Sequence, residues 1–380
     1  MNNKARKLHP AWIEVNVTQL LKNINSVRNY VNSVQSGTKI CLPIKANAYG
    51  HGLVRVAKTA VKAKIDYLAV AHLSEGIALR KANIKIPILV LGAIHKDQSE
   101  ELISNNLEIS ISSMFKAQLI VSTCLEKNLS CRVHLEVDTG MQRTGVKPQT
   151  LHSIFLYLLQ YKFINIVGIY SHLASADTPN DPFTLKQIQI FNSIKEDPLF
   201  HGHSLLWHLS NSSGLINYPL AHFDMVRPSL LIFGYKQESI NNVEFFDELR
   251  PCFSIKAKVS YIKIVDEHQG ISYGHTYITK KKSKIATVPV GYGDGYRRAL
   301  SNKANVLING KKHPICGTIC MDQFMVDVGE DNVQAGDLVT LIGKDGENYI
   351  SLTEIAGMCQ TIPYEILCGF NDRMPRIYIN

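Results

Sequence analysis

The sequence predicts an α/β protein: a (β/α)8 TIM-type barrel followed by a mostly β C-terminal domain. Three observations carry that expectation. Eight short, apolar, β-rich runs alternate with segments of helical periodicity over the first two thirds of the chain. Such alternation implies βα units around a parallel sheet, and eight units fill a barrel of about 200–250 residues. Beyond residues 241–251 the texture changes to strands divided by turn pairs. The rival architecture, an open doubly wound sheet, lacks its glycine fingerprint, because no GxGxxG follows the first strand.

The expected barrel strands are 39–44, 67–71, 86–91, 107–111, 132–137, 164–170, 205–209 and 223–226. Helical spacing of apolar residues marks 53–61, 74–81, 115–125, 150–159 and 183–194. Ser74 before an acidic residue, and Pro182 just after Asp181, are helix-start signals. In the second part, strands are expected at 253–265, 285–290, 306–316, 324–328 and 337–342, with turns at Asn309-Gly310 and Asp345-Gly346. One short helix is expected there, at 352–359. The domains therefore read as a barrel over 14–245 and a β domain over 246–380, with residues 1–13 packing against the latter.

Composition excludes several classes. Of 380 residues, 45% are hydrophobic and 19% charged, so a large core is available and intrinsic disorder is excluded. The net charge of +9 comes from scattered lysines and arginines, so no nucleic-acid partner is expected. The one dense run, Lys280 to Lys282 with Lys284, reads as a solvated turn. No apolar segment follows the basic N-terminus, and no run reaches about 18 apolar residues, so a cytoplasmic protein without membrane attachment is expected. The eight cysteines form no CxxC pair and no zinc spacing, which implies reduced thiols and no metal site.

Chemistry in such a barrel sits at the carboxyl ends of the strands. There the sequence places Lys45, Arg143, His172, Asn211 with Ser212, and Arg227 with Ser229. A lysine at the end of an apolar strand is partly desolvated, which favours the neutral amine that Schiff-base chemistry needs. An arginine is a natural fork for a carboxylate. Small hydroxyl and amide side chains leading into a helix make a ready anion site. Any one of these alone reads as structural, but their convergence from five strand ends does not.

Nine segments together carry a resemblance: 43–52, 138–145, 168–177, 211–212, 225–234, 272–277, 288–296, 317–325 and 361–368. They resemble the bacterial alanine racemases, pyridoxal 5′-phosphate (PLP) enzymes built from a barrel and a β domain. The first segment, Ser272-Tyr273-Gly274 and Cys320-Met321-Asp322 are the most specific. The resemblance implies interconversion of L- and D-alanine by two bases, supplying D-alanine for peptidoglycan. It makes Lys45 the cofactor lysine and one base, and Tyr273 of the β domain the second base. It places Arg227 against the pyridine nitrogen and lets His172 link Tyr273 to Arg227. Tyr49, Asn211, Ser212, Ser229, Leu230 and Tyr364 fall at the cofactor's phosphate end, and Arg143 and Met321 at the substrate, with Asp322 in support. It also implies a homodimer with shared active sites.

Three positions depart from the family pattern. Ser229 stands where glycine is usual, and Thr318 where a basic residue is common. Glu136 stands where many members have a carbamylated lysine that pairs with the arginine seven residues on, so Glu136 is expected to pair with Arg143. Gly291 to Gly295 resembles a phosphate loop, but no helix follows it and turn structure is the expectation. The rival functions are a broad-specificity or serine racemase, a non-catalytic PLP-binding barrel, and a decarboxylase on a related scaffold. Tyr364, a bulky phenol that narrows the pocket, favours alanine. The β domain and second base disfavour the non-catalytic barrel.

Overall fold

Residues 9–235 and 246–380 are described by a computed structural model. The expected boundary between 245 and 246 borders a segment, 236–245, that lies outside the described residues, as do residues 1–8. Contacts divide the chain into two units. Among the described residues, one comprises Leu20–Ala48, 53–235 and 246–250; the other comprises 9–19, Tyr49–Gly52 and Pro251–Asn380.

The first unit is a barrel of eight parallel strands. After β1 (Ala11–Asn16), which belongs to the other unit, these are β2 (Lys39–Pro43), β3 (Tyr67–Val70), β4 (Ile88–Val90), β5 (Glu108–Ile111), β6 (Cys131–Glu136), β7 (Ile164–Tyr170), β8 (Leu206–His208) and β9 (Met225–Val226). Neighbours pair in the order β8-β7-β6-β5-β4-β3-β2-β9. The seam between β8 and β9 is bridged by Asp224 N donating to Trp207 O at 3.0 Å and Arg227 N donating to Ser210 O at 2.8 Å. All eight expected strands form; β7 keeps its expected bounds, β6 is shifted back by one residue, and the others are trimmed by one or two residues at one or both ends. β3, β4 and β5 are buried at every position, as both faces of a barrel strand are covered.

Helices pack outside the strands. The expected ones form as Leu53–Lys62, Leu73–Lys81, Met114–Lys127, Pro148–Leu159 and Pro182–Lys195. Asp181 caps the last of these, accepting from Thr184 N at 2.8 Å, with Pro182 in the first turn. The Ser74 signal is displaced. That helix starts at Leu73, and Glu75 caps it by accepting from the Ala71 and His72 N–H groups. An unexpected helix spans Val17–Val34.

The second unit is built on a ten-stranded sheet. β1 lies between β10 (Phe253–Lys258), antiparallel, and the last strand, Arg376–Ile379, parallel. The expected single strand at 253–265 is two strands, because the chain turns at Val259 and Ser260 before Tyr261–Val265. Asn309-Gly310 turns the hairpin between Asn305–Ile308 and Lys311–Cys316, with both residues at positive φ. Two helices form rather than one: Leu352–Met358 and Pro363–Gly369. Gly291 to Gly295 is a tight 3-10 turn in which Asp294 accepts from Gly291 N.

Candidate active site

Lys45 follows β2 directly, after the fully buried Ile44. The chain then enters a left-handed turn. Ala46, Asn47, Ala48 and Tyr49 have φ of 54, 54, 54 and 50°, and Gly50 closes it at 79°. L-residues resist this conformation by roughly 1–2 kcal/mol each. Side chains hold it in place. Glu75 Oε1 accepts from Ala46 N at 2.7 Å, and Asn47 Oδ1 accepts from Leu53 N at 2.8 Å. Neither staple was evident from the sequence, since Glu75 comes from the helix after β3.

Arg227 is 4% exposed. Its Nη1 donates to His208 Nδ1 at 2.8 Å and His208 O at 3.0 Å. Its Nη2 donates to Ser171 O at 2.7 Å and Leu209 O at 3.1 Å, and lies 3.4 Å from His172 Nδ1. The guanidinium also sits over the Tyr170 ring, 5.3 Å from its centroid. Every one of these hydrogen bonds uses Nη1 or Nη2, so Nε–H is the donor left for an acceptor. Burial, and then the charges of Arg227, Arg143 and Lys45, push His172 down to about 3. Those four expected residues thus share one electrostatic neighbourhood, with His172 neutral within it.

Glu136 does not pair with Arg143. The loop after β6 folds back, with Val137 and Val146 bridged and Asp138 accepting from Gly140 N. On the returning segment Thr144 donates to Glu136 Oε1 at 2.7 Å. Arg143 lies in the exposed bend just before it. The other Glu136 oxygen faces Ser110 Oγ at 3.5 Å, and that hydroxyl bonds the Tyr170 phenol at 2.6 Å.

Asn211 caps the short helix Ser212–Asn217 by accepting from Gly214 N at 2.9 Å. Ser212 Oγ accepts from Ser229 N at 2.8 Å, and the two hydroxyls are 3.5 Å apart. Both serines are buried. Among the described residues, the N–H groups of Leu230 and Leu231 donate to no protein acceptor. Ser229 therefore sits in this buried hydroxyl cluster despite replacing a glycine.

The second unit holds the remaining expected residues. The Tyr49 and Tyr364 rings lie 5.7 Å apart, Tyr364 riding on the unexpected helix Pro363–Gly369. Tyr273 opens a 3-10 turn after Ser272, whose φ of 65° is unusual for a side-chain-bearing residue. A reciprocal pair of hydrogen bonds holds that turn. Ser272 Oγ donates to Thr318 O at 2.6 Å, and Thr318 Oγ1 donates to Tyr273 O at 2.9 Å. Tyr273 is 73% exposed and Met321 54%. With Asp322 they line a cavity of about 490 Å³. Asp322 accepts from Arg373 at 2.6 Å, and Arg373 also reaches Asp294.

This donor set fits PLP. A strand-end amine suits the aldehyde, and a buried guanidinium with Nε–H to spare suits the pyridine nitrogen. A serine hydroxyl beside two undonated backbone N–H groups suits the phosphate. No three His, Cys, Asp or Glu side chains are arranged to hold a metal among the described residues, and no described helix is long and apolar enough to cross a membrane.

Fold and donor set together define a PLP-dependent enzyme on a barrel with an appended β domain. Comparison with known proteins narrows the class. The family profile "Alanine racemase, N-terminal domain" matches residues 15–237, and "Alanine racemase, C-terminal domain" matches 252–378. An alanine racemase of Halothermothrix orenii is 40% identical over 99% of this chain and 98% of its own. One of Methanococcus maripaludis is 38% identical over 98% and 99%. The solved alanine racemase of Clostridium difficile superposes with a TM-score of 0.90 at 36% identity, covering 97% of this chain and 96% of its own. That of Bacillus anthracis, determined with bound L-Ala-P, gives 0.89 at 34%, covering 98% and 95%. The chain belongs to the alanine racemase family and is a PLP-dependent isomerase.

Proposed function

We propose that the protein interconverts L-alanine and D-alanine through two bases, Lys45 and Tyr273, acting on opposite faces of the bound amino acid. When bound, PLP withdraws electrons from the Cα–H bond and makes that proton removable. Reversing a stereocentre requires a proton to leave one face and arrive on the other, so one base alone gives slow or one-sided exchange. Lys45 Nζ anchors the cofactor and moves the proton on one face. The Tyr273 hydroxyl moves it on the other.

The remaining residues bind and orient. Tyr49, Ser212, Ser229, Leu230 and Tyr364 hold the phosphate, and Asn211 fixes the helix start that presents Ser212. Arg227 would donate to the ring nitrogen and, since a guanidinium keeps its protons, would give it none, which would favour returning the proton to carbon. His172 carries the orientation of Arg227 to the Tyr273 phenol. Arg143 and the Met321 backbone position the substrate carboxylate, Asp322 supports the latter, and Glu136 anchors the loop that carries Arg143.

The single observation carrying this reading is the neighbourhood of Lys45, Arg143, His172 and Arg227. The exposure of Tyr273 and Met321 supports a homodimer in which each subunit's β domain completes the partner's site. A cytoplasmic location and supply of D-alanine to peptidoglycan follow from the same reading. The test is direct: purified protein with added PLP should form D-alanine from L-alanine, measured by chiral chromatography. Absence of D-alanine, with cofactor bound, rejects the reading.

A further inference from the structure

A line of buried polar side chains crosses the barrel interior from Arg227. His208 Nε2 lies 3.0 Å from His134 Nδ1, and His134 Nε2 lies 2.7 Å from Glu108 Oε2. Glu108 Oε1 accepts from Arg132 Nε at 2.6 Å. Both imidazoles are fully buried, and Glu108 is 2% exposed. Room for the line is built in: a Cβ on Gly168 would stand 2.9 Å from His134 Nδ1. The two rings meet edge to face, and His208 stacks on Tyr170.

Chemistry fixes every proton on this line. A guanidinium only donates, so His208 Nδ1, 2.8 Å from Arg227 Nη1, is an acceptor. The His208 proton is therefore on Nε2 and is donated to His134 Nδ1. The His134 proton is then on Nε2 and is donated to a carboxylate oxygen. The line has one consistent direction, with a cation at one end and an anion at the other. No carboxylate lies within 4.0 Å of Arg227 among the described residues, so this buried charge has no direct ion-pair partner; the charge of Glu136 acts on it from beyond that distance.

We propose that Glu108 is a second, remote counterion of Arg227 beside Glu136, coupled to it through two neutral imidazoles, and acts as a positioning residue for the cofactor ring. The second half of that statement rests on the racemase reading; the first does not. The carboxylate sets how fully the Arg227 charge is compensated, and so how strongly its free donor acts on the ring nitrogen. Nothing is transferred along the line. Cys41, Tyr170, His172, Glu136 and Arg143 surround its Arg227 end, and Tyr67, Arg80 and Arg132 its Glu108 end. At that second end burial works against the Glu108 charge, but the hydrogen bonds from His134 and Arg132, with the charge of Arg132, outweigh it and hold its pKa below the ordinary value.

Two measurements test the proposal. The first is a histidine-selective ¹⁵N–¹H long-range correlation spectrum of the full chain, recorded before and after PLP is added. His134 and His208, assigned by single substitution, should each carry one proton, on Nε2. A proton on Nδ1 of either ring overturns the counterion line whether or not the protein racemises alanine. The second is Glu108→Gln, which keeps the acceptor oxygen and removes the charge. Losing an anion near a protonated site disfavours the proton, so the pH midpoint of the bound cofactor's visible absorption should fall, by about half a pH unit. An unchanged midpoint with the Nε2 tautomers intact overturns the role toward the cofactor.

Discussion

Thr318→Val isolates the hydrogen bond that holds the Tyr273 turn. Thr318 is 6% exposed, and its hydroxyl donates to the Tyr273 carbonyl at 2.9 Å. Valine keeps the shape and leaves the Thr318 carbonyl to accept from Ser272 Oγ. Tyr273 is well exposed, so water can reach its orphaned carbonyl, and the cost stays near the net value of one hydrogen bond, about 0.5–1.5 kcal/mol. The Ser272 backbone at φ 65° is disfavoured by roughly 1–3 kcal/mol and needs such bonds to persist. A loss of about 1 kcal/mol lowers the equilibrium constant for the held turn roughly fivefold. We therefore expect kcat to fall about 2- to 10-fold in both directions, with KM for alanine little changed. Thr318→Ser, which restores the donor, should recover most of the loss. The assay is racemisation of each enantiomer followed by polarimetry. A valine variant with wild-type kcat, or a serine variant as slow as the valine one, refutes the reasoning.

Three further outcomes follow from the structure. Thr144→Val removes the donor 2.7 Å from the buried Glu136 carboxylate, which should cost about 1–3 kcal/mol in urea denaturation; unchanged stability would show that Glu136 finds another partner. Borohydride added to the PLP-loaded protein should fix the cofactor on Lys45, read by peptide mass spectrometry, and a label on another lysine rejects the assignment. The third outcome concerns pH. Burial, then the charge of Arg227, depresses both His172 and His208. Below about pH 6.5 the unfolded chain binds protons that these folded histidines refuse, so stability falls with pH toward their folded values, by at most about 1.4 kcal/mol per pH unit per histidine. Urea midpoints at pH 7 and 5 should differ more for the parent than for His172→Gln, and equal differences contradict it.

Much of the barrel was legible because each strand is a short apolar run between turn residues, and runs of that kind survive without tertiary context. The helix Val17–Val34 was missed although Leu20, Ile24, Val27 and Val31 recur at helical spacing and are all buried. Four interleaved asparagines, with Lys22 and Arg28, diluted that stripe. The pairing of β1 with Arg376–Ile379 joins opposite ends of the chain, and no local pattern encodes it. The strand-end site residues were legible as residue types at strand ends. Their supports were not. The left-handed turn after Lys45 contains no glycine until Gly50, and its staple Glu75 lies on a different βα unit. Glu136 was expected to pair with Arg143, but Thr144, one residue further on, donates to it instead, because counting seven residues ignores the bend at Arg143 and Thr144.

The central claim is that two bases work on opposite faces. It is tested most directly by following loss of the α-proton in D₂O, by NMR, from L-alanine and from D-alanine separately, for the parent and Tyr273→Phe. Removing a directly acting base should slow exchange by about 10²–10⁴-fold. The account predicts that this loss falls on L-alanine, the enantiomer whose proton faces Tyr273 in the racemase reading, while exchange from D-alanine through Lys45 persists. Equal loss from both enantiomers, or near-parent exchange from L-alanine, would contradict it.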